Sequence, residues 1–371
     1  VPMRMEPTQR FQVEKELFSR FNVRDEYVGA NQWVFLVDQD PLFGKKFKEL
    51  YSAVQLLGYW TFARKRGNLI TISVVKAIHR GPRRKSVYMA LFLATFLSVA
   101  ISGYELSRAF LMSLGYQNAP PALMIEMTVE FVASLLTILG IHELGHKFVT
   151  ERAGEKASWP YFIPGPPYLL GAGFLGIGTF GAMIMAEEPP LDRNHLFDLG
   201  ISGPLAGFAL SLMVAAIGVA LSPPMMNPLV VNSFGPYYSI FYRLPLIIQL
   251  FFILKGESPN EAALSPVLIA SWIGMLVTFL NLLPASQLDG GHVFRSFLSY
   301  RQALGVSVAV AMIMMMTGYW LMGVLVLFMA FIPDPGPLEE VTPLARSRKA
   351  LLLLDFTIII LTAVVLRTSG F

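Results

Sequence analysis

Five histidines occur in the chain, at 79, 142, 146, 195 and 292, and two of them fall in His142-Glu143-Leu144-Gly145-His146. On a helix, positions i and i+4 share one face, so both imidazoles can hold a single zinc ion while Glu143 stands beside it as general base for water. A chain with this content of His and Glu produces only about 0.003 H-E-x-x-H matches by chance. The bland alternative is two histidines and a glutamate capping an interfacial helix. It leaves polar groups clustered near lipid without partners, at several kcal/mol each once dehydrated. The chain has no cysteine, which excludes a disulfide framework, a thiolate nucleophile and a cysteine-ligated metal. Metal chemistry must therefore use histidines and carboxylates.

Two histidines leave a hydrolytic zinc site short of the usual three protein ligands plus water. Among the aspartates, Asp289 stands out within Asn281-Leu282-Leu283-Pro284-Ala285-Ser286-Gln287-Leu288-Asp289-Gly290-Gly291-His292. Pro284 interrupts a helical hydrogen-bond ladder and Gly290-Gly291 permits tight turns, so Asp289 can be aimed inward. His292 reads equally as an outer donor to a metal ligand and as a surface histidine at a helix end. His195, in the acidic stretch Glu187 to Asp198, reads as solvated, and His79, among basic residues, as structural or exposed. Glu126 and Glu130 read as outer-interface residues, with a water or substrate entrance as the alternative.

The elements that must position these groups are those of a membrane protein. Of 371 residues 54% are hydrophobic and 15% charged, against about 25% charged in a soluble domain. Apolar runs long enough to cross about 30 Å of hydrocarbon lie near 87–103, 122–147, 200–221, 264–284 and 350–366. Residues 303–332 read as a helical hairpin turning at Thr317-Gly318. The 237–254 stretch, apolar except for Arg243 and Gln249, suits a re-entrant or interfacial helix. From Pro160 to Ala186 the density of Gly and Pro forbids a continuous helix, and irregular backbone at that depth must be packed in protein or line a wet cavity. The expected fold is an α-helical polytopic membrane protein of about seven spans plus re-entrant or interfacial segments, carrying a small N-terminal soluble α+β domain. In that domain, helix-spaced apolar residues run from Leu42 to Leu57 and β-rich runs cover Trp33–Val37, Tyr59–Ala63 and Leu69–Val75. The boundary falls at Gly81-Pro82-Arg83-Arg84-Lys85, dividing an accessory domain at 1–82 from a membrane domain at 83–371.

Charge orients the chain. Residues 1–85 hold 16 Lys/Arg against 8 Asp/Glu, and no acid falls between Glu49 and Glu105. The positive-inside rule keeps this basic unit cytoplasmic. It abuts a span and has no base-reading motif, so nucleic acid is not an expected partner. Val1 to Arg10 is polar and does not read as a cleavable signal. If the first span exits, the 122–147 span returns with its HELGH towards the cytoplasm beside Lys147, Arg152 and Lys156. The 264–284 span must also run inward for Asp289 to reach the same metal.

The pairing of an intramembrane HExxH with a downstream N-x-x-P-x-x-x-x-D-G, here Asn281, Pro284, Asp289 and Gly290, resembles the site-2 protease family of intramembrane zinc metalloproteases. Ser202-Gly203-Pro204-Leu205-Ala206-Gly207 is similar to the small-residue motif opening that family's middle core helix. The resemblance covers about 122–292 and, with no inserted PDZ domain, is closest to the PDZ-less branch. It implies one zinc held by His142, His146 and Asp289, with Glu143 as catalytic base and Asn281 assisting the substrate or transition state. It also implies the lipid bilayer as medium and a transmembrane-helix protein as substrate.

Such a substrate hides its peptide bonds in its own helix and must unwind locally. A strand within Phe174 to Met185 is the expected partner for the unwound segment by β-addition, with Phe174, Gly176, Gly178 and Gly181 as substrate-binding candidates. The competing readings are a zinc transporter, which expects a second histidine-bearing helix, a prenyl-protein type of membrane peptidase, whose third ligand is typically a glutamate, and an inactive scaffold.

Overall fold

The computed structural model describes residues 7–29, 32–78, 84–167, 176–225, 244–285, 287–332, 334 and 336–363. The N-terminal unit runs α1 (Pro7–Phe18), β1 (Val23–Val28), β2 (Trp33–Asp38), α2 (Phe43–Gln55), β3 (Tyr59–Arg66) and β4 (Leu69–Lys76). Its four strands form one antiparallel sheet in the order β1-β2-β4-β3. Alternation decides which face is covered: Ile70, Ile72 and Val74 of β4 point inward between half-buried neighbours, the period-two pattern of a sheet with one face on a core. Onto that face α2 presents Phe43, Phe47, Leu50, Tyr51 and Val54. Burying each of these side chains contributes about 1.5–3 kcal/mol. Leu42, counted in the sequence among the helix-spaced apolar residues, lies ahead of α2 and is exposed. Helix α1 and strand β1 are additions to the sequence reading; β1 is polar and exposed along most of its length, so it carries no hydrophobic pattern.

The unit is not sealed off from the rest of the chain. Leu338, fully buried, completes its hydrophobic core, with Leu191 and Val341 packed at the margin. Residues 338–340 lie parallel along the open edge of β3: Ala63 N–H donates to the Leu338 carbonyl at 2.7 Å and Glu340 N–H to the Ala63 carbonyl at 3.1 Å. On the far side Leu338 and Glu339 donate to the carbonyls of Pro190 and Leu191, each at 2.8 Å. Tyr51 adds a hydrogen bond to Glu188 at 2.6 Å.

The remaining described elements are α3 (Lys85–Ser113), α4 (Pro121–Arg152), β5 (Tyr161–Pro164), β6 (Thr179–Met183), α5 (Arg193–Ala220), α6 (Leu246–Lys255), α7 (Pro266–Leu282), α8 (Asp289–Arg295), α9 (Tyr300–Met316), α10 (Trp320–Ala330) and α11 (Arg346–Thr362). Three of them, α3, α4 and α5, are long and apolar enough to cross a membrane. Four shorter apolar helices, α6, α7, α9 and α10, have 10–17 residues; even the longest extends only about 26 Å at 1.5 Å per residue. The hairpin turns between α9 and α10 at Thr317-Gly318, where the sequence puts it, and Gly318 supplies a φ of +95°. Arg243 lies outside the described residues, and residues 246–254 of the 237–254 stretch fall in α6.

The spans run beyond their apolar stretches, because α3 continues to Ser113 and α5 begins at Arg193. Their outer faces are unlike those of a soluble bundle: Leu97, Ile125, Val129, Phe148 and Met213 are exposed, which fits contact with lipid. Their inner faces meet in one core, where Phe131, Leu135 and Leu139 of α4 pack with Ala215 and Val219 of α5 and Leu268, Trp272 and Ile273 of α7. Within the Gly/Pro-rich 160–186 stretch, β5 and β6 form a two-stranded antiparallel hairpin. It rests on α3 through a stacked, hydrogen-bonded Tyr88–Tyr161 pair and through Ser98, whose hydroxyl donates to the Gly165 carbonyl at 2.5 Å.

Candidate active site

His142 and His146 project from the last third of α4 on one face, and both are buried. Asp289, the first residue of α8, arrives from 143 positions beyond His146. Its Oδ2 lies 3.1 Å from His142 Nε2 and its Oδ1 3.4 Å from His146 Nε2, while the two Nε2 atoms are 3.3 Å apart. Among the described residues this is the one group of three that could hold a metal. The donor set fits zinc: two imidazole nitrogens and a carboxylate, mutually spaced like corners of a tetrahedron whose centre is about 2 Å from each. The imidazole orientation agrees as well. His146 Nδ1–H donates to the Leu199 carbonyl at 2.8 Å, which leaves Nε2 as a free lone pair turned to the site. A second histidine-bearing helix, the signature of the transporter alternative, is not present among the described metal-capable groups.

Glycines let the neighbouring helix come this close. A Cβ on Gly203 would overlap the His146 ring, one on Gly207 would sit 3.1 Å from His142 Nδ1, and one on Gly145 would be 2.7 Å from the Ser202 carbonyl oxygen. The Ser202–Gly207 motif therefore acts by what it lacks: α5 lies against the imidazoles because no side chain intervenes. From the other direction, Gly290 lets α8 meet the end of α7, since a side chain there would run into the Leu282 carbonyl.

Glu143 is buried beside the ligands, and the Ile184 backbone N–H, just past β6, faces its carboxylate. Asn281, in the last turn of α7, brings Nδ2 to 3.4 Å from His142 Nε2. Five side chains singled out from the sequence thus converge. The glycine candidates divide. Gly178, at φ +84°, packs against the α3 backbone at Ser98-Val99, and Gly176 packs on the Pro166 and Pro167 carbonyls. Gly181, at φ +105°, has open space around it. Phe174 lies outside the described residues. Sequence reasoning missed the Leu199 carbonyl and the Ile184 N–H, because a backbone group carries no residue signature.

His195 corrects an expectation. It is not solvated: it sits in the first turn of α5 with its side chain 9% exposed and Nδ1 3.1 Å from Glu155, which follows α4. Burial pushes the Glu155 carboxyl above the usual carboxylate range, against the opposing hydrogen bond from His195. The pair joins the end of α4 to the start of α5. His292 is half-buried in α8, one turn beyond Asp289.

Comparison with known proteins agrees with this geometry. The family model described as "Peptidase family M50" matches residues 130–325, more than half of the chain. "Probable zinc metalloprotease EGY2, chloroplastic" from Arabidopsis thaliana is 31% identical over 215 residues, covering 55% of this chain and 36% of that protein. "Probable zinc metalloprotease EGY1, chloroplastic" from the same plant is 29% identical over 247 residues, covering 64% and 43%. The chain thus spans well under half the length of these curated relatives. No solved structure matches. With its HExxH, its distant aspartate and the helices that join them all inside or beside the matched region, the chain belongs to peptidase family M50, the site-2 protease family.

Proposed function

We propose that this chain is an intramembrane zinc metalloprotease that hydrolyses peptide bonds within or near transmembrane segments of other proteins. The observation that carries the reading is the convergence of His142, His146 and Asp289 from two distant parts of the chain on one buried point next to Glu143. His142, His146 and Asp289 would hold the metal. When bound, zinc supplies Lewis acidity, polarising a carbonyl and lowering the pKa of water towards neutrality.

The chain's own residues do the rest. Glu143 accepts the proton of the attacking water and returns it to the leaving amine nitrogen, a role general bases of this kind fill within hydrogen-bond reach of their proton. Asn281 Nδ2 donates to the substrate carbonyl oxygen or to the charge developing on it. Strand β6 pairs with β5 on one side alone among the described strands, so its other edge is available for an unwound substrate segment to add by backbone hydrogen bonds. Because β6 leads directly to the Ile184 N–H beside Glu143, a segment bound along it is delivered to the base. In this arrangement the chain is multi-pass, and the N-terminal domain lies on the cytoplasmic face. The eight cations between Arg64 and Lys85 support that side. So does the docking of the domain at the start of α5, the end of the bundle that also holds the metal ligands.

The test is purified protein incubated with a model transmembrane peptide, with and without chelator, beside Glu143→Ala. Cleavage that chelator abolishes and zinc restores, with zinc retained but cleavage lost in the variant, supports the protease. Zinc flux across vesicles without proteolysis overturns it in favour of transport.

A further inference from the structure

Asp289 opens a helix of seven residues that contains Gly290 and Gly291. A segment this short has almost no helical stability of its own, so the position of its carboxylate is decided by what holds its two ends. The first end is wedged between α5 and the end of α7 through Gly200 and Gly290. The other end is Arg295, whose side chain is 6% exposed, and its guanidinium is held by ion pairs with Glu340 and, at 3.8 Å, with Asp334.

Glu340 is where three separate parts of the chain meet. Its carboxylate pairs with Arg295 from α8 and, at 3.2 Å, with Arg64 from β3. Its carbonyl accepts from Arg193 at the start of α5 at 3.0 Å, and the same Arg193 donates to the Ser296 carbonyl, directly after α8, at 3.0 Å. Glu340 itself is fixed by its neighbours in the 338–340 segment, which Ala63 binds along the edge of β3, and Arg64 also donates to the Leu338 carbonyl at 3.0 Å. A continuous run of backbone and charge-assisted hydrogen bonds thus leads from the N-terminal sheet to the far end of the Asp289 helix, about 9 Å along its axis from the ligand itself.

We infer that Glu340 is a positioning residue for the metal-binding carboxylate, and that the N-terminal domain, by capturing residues 338–340 on the edge of β3, holds Asp289 in place through Arg295. The inference rests on the reading of His142, His146 and Asp289 as the metal ligands. Neutralising Glu340 leaves a buried guanidinium without its closest carboxylate. The end of α8 must then shift to hydrate it, carrying Asp289 away from the histidine pair.

The test uses the full chain as Glu340→Gln, Arg64→Ala and Arg64→Lys. Two quantities are read: zinc affinity by chelator competition, and amide exchange over 289–295 in metal-free protein. Glu340→Gln, acting through Arg295 and not on a ligand directly, is expected to weaken zinc binding by up to about tenfold, the lower end of what losing a direct outer partner of a ligand costs, and to speed exchange across α8. Arg64→Ala moves both in the same direction by less, and Arg64→Lys restores them. Since Arg64 is partly exposed, its variants serve even where Glu340→Gln fails to fold. Unchanged zinc affinity, or unchanged exchange over 289–295 while 336–342 exchanges faster, overturns the inference. Wild-type protein that shows the coupling yet cleaves no transmembrane peptide refutes the protease reading and leaves the positioning role standing.

Discussion

Gly203 of α5 lies directly against the ring of His146, so close that a single added methyl group would stand well inside van der Waals distance of Nε2. The helix backbone has little room to shift, because Gly200, one turn earlier, is itself against the α8 backbone at Asp289 and Val293. Gly203→Ala is therefore expected to displace the imidazole and weaken zinc binding at least about tenfold, the lower end of what disturbing a ligand's support costs. Gly305→Ala is the control: nothing lies within 4 Å of a Cβ there, so the change is neutral or stabilises by up to about 1 kcal/mol. Zinc content after dialysis and a thermal melt of each variant check both outcomes.

Glu143 and Asp289 are both carboxylates beside the same histidines, yet they should fail differently. Glu143→Gln keeps zinc and lowers turnover of a transmembrane peptide by about 10²–10⁴-fold, the contribution of a general base. Asp289→Asn loses the metal itself. Zinc stoichiometry measured in parallel with cleavage separates the two, and equal zinc loss in both variants contradicts the assigned roles.

Phe180 stands in β6 at the irregularity in the β5–β6 register, without a cross-strand partner, and its side chain is 71% exposed. Phe180→Pro removes one backbone donor from the strand without deleting a residue paired with β5. Cleavage should fall while zinc content stays at the wild-type level. Undiminished turnover would mean that the substrate does not add to this strand.

The Glu155–His195 pair gives a pH dependence with a defined sign. Burial raises the Glu155 carboxyl in the folded chain, above the unfolded value of about 4.3. Its neutral form is thus favoured by folding, and the associated stability is complete below the unfolded pKa and lost as pH rises through the folded one. Glu155→Gln, neutral throughout, should match wild type near the unfolded pKa and become the more stable of the two as pH rises to 7. Melting of chelator-treated protein at both pH values removes any contribution from metal loss. A wild-type advantage that grows with pH would refute the assignment.

Local chemistry was legible in the residues themselves. The spacing of His142 and His146 on one helix, the polar character and Gly-Gly context of Asp289, and the apolar runs that form α3, α4 and α5 are short-range patterns, and these survive in the structure because helix periodicity and hydrophobic length are set within a few turns of chain. The alternation in β4 and the apolar stripe of α2 are of the same kind. His195 shows where that logic ends: an acidic neighbourhood in sequence suggested a solvated side chain, but Glu155, forty positions earlier, covers it.

What only the folded chain decided is distance between parts remote in sequence. The closeness of Asp289 to the histidine pair depends on α7 turning at its end and on glycines that let α8 and α5 approach. The absence of a side chain has no pattern until the neighbour that would collide with it is known. The same holds for the N-terminal unit, whose last core residue is Leu338 and whose sheet is extended by a segment more than 270 residues away. Backbone hydrogen bonds of that kind are indifferent to residue type, so composition and periodicity carry no trace of them.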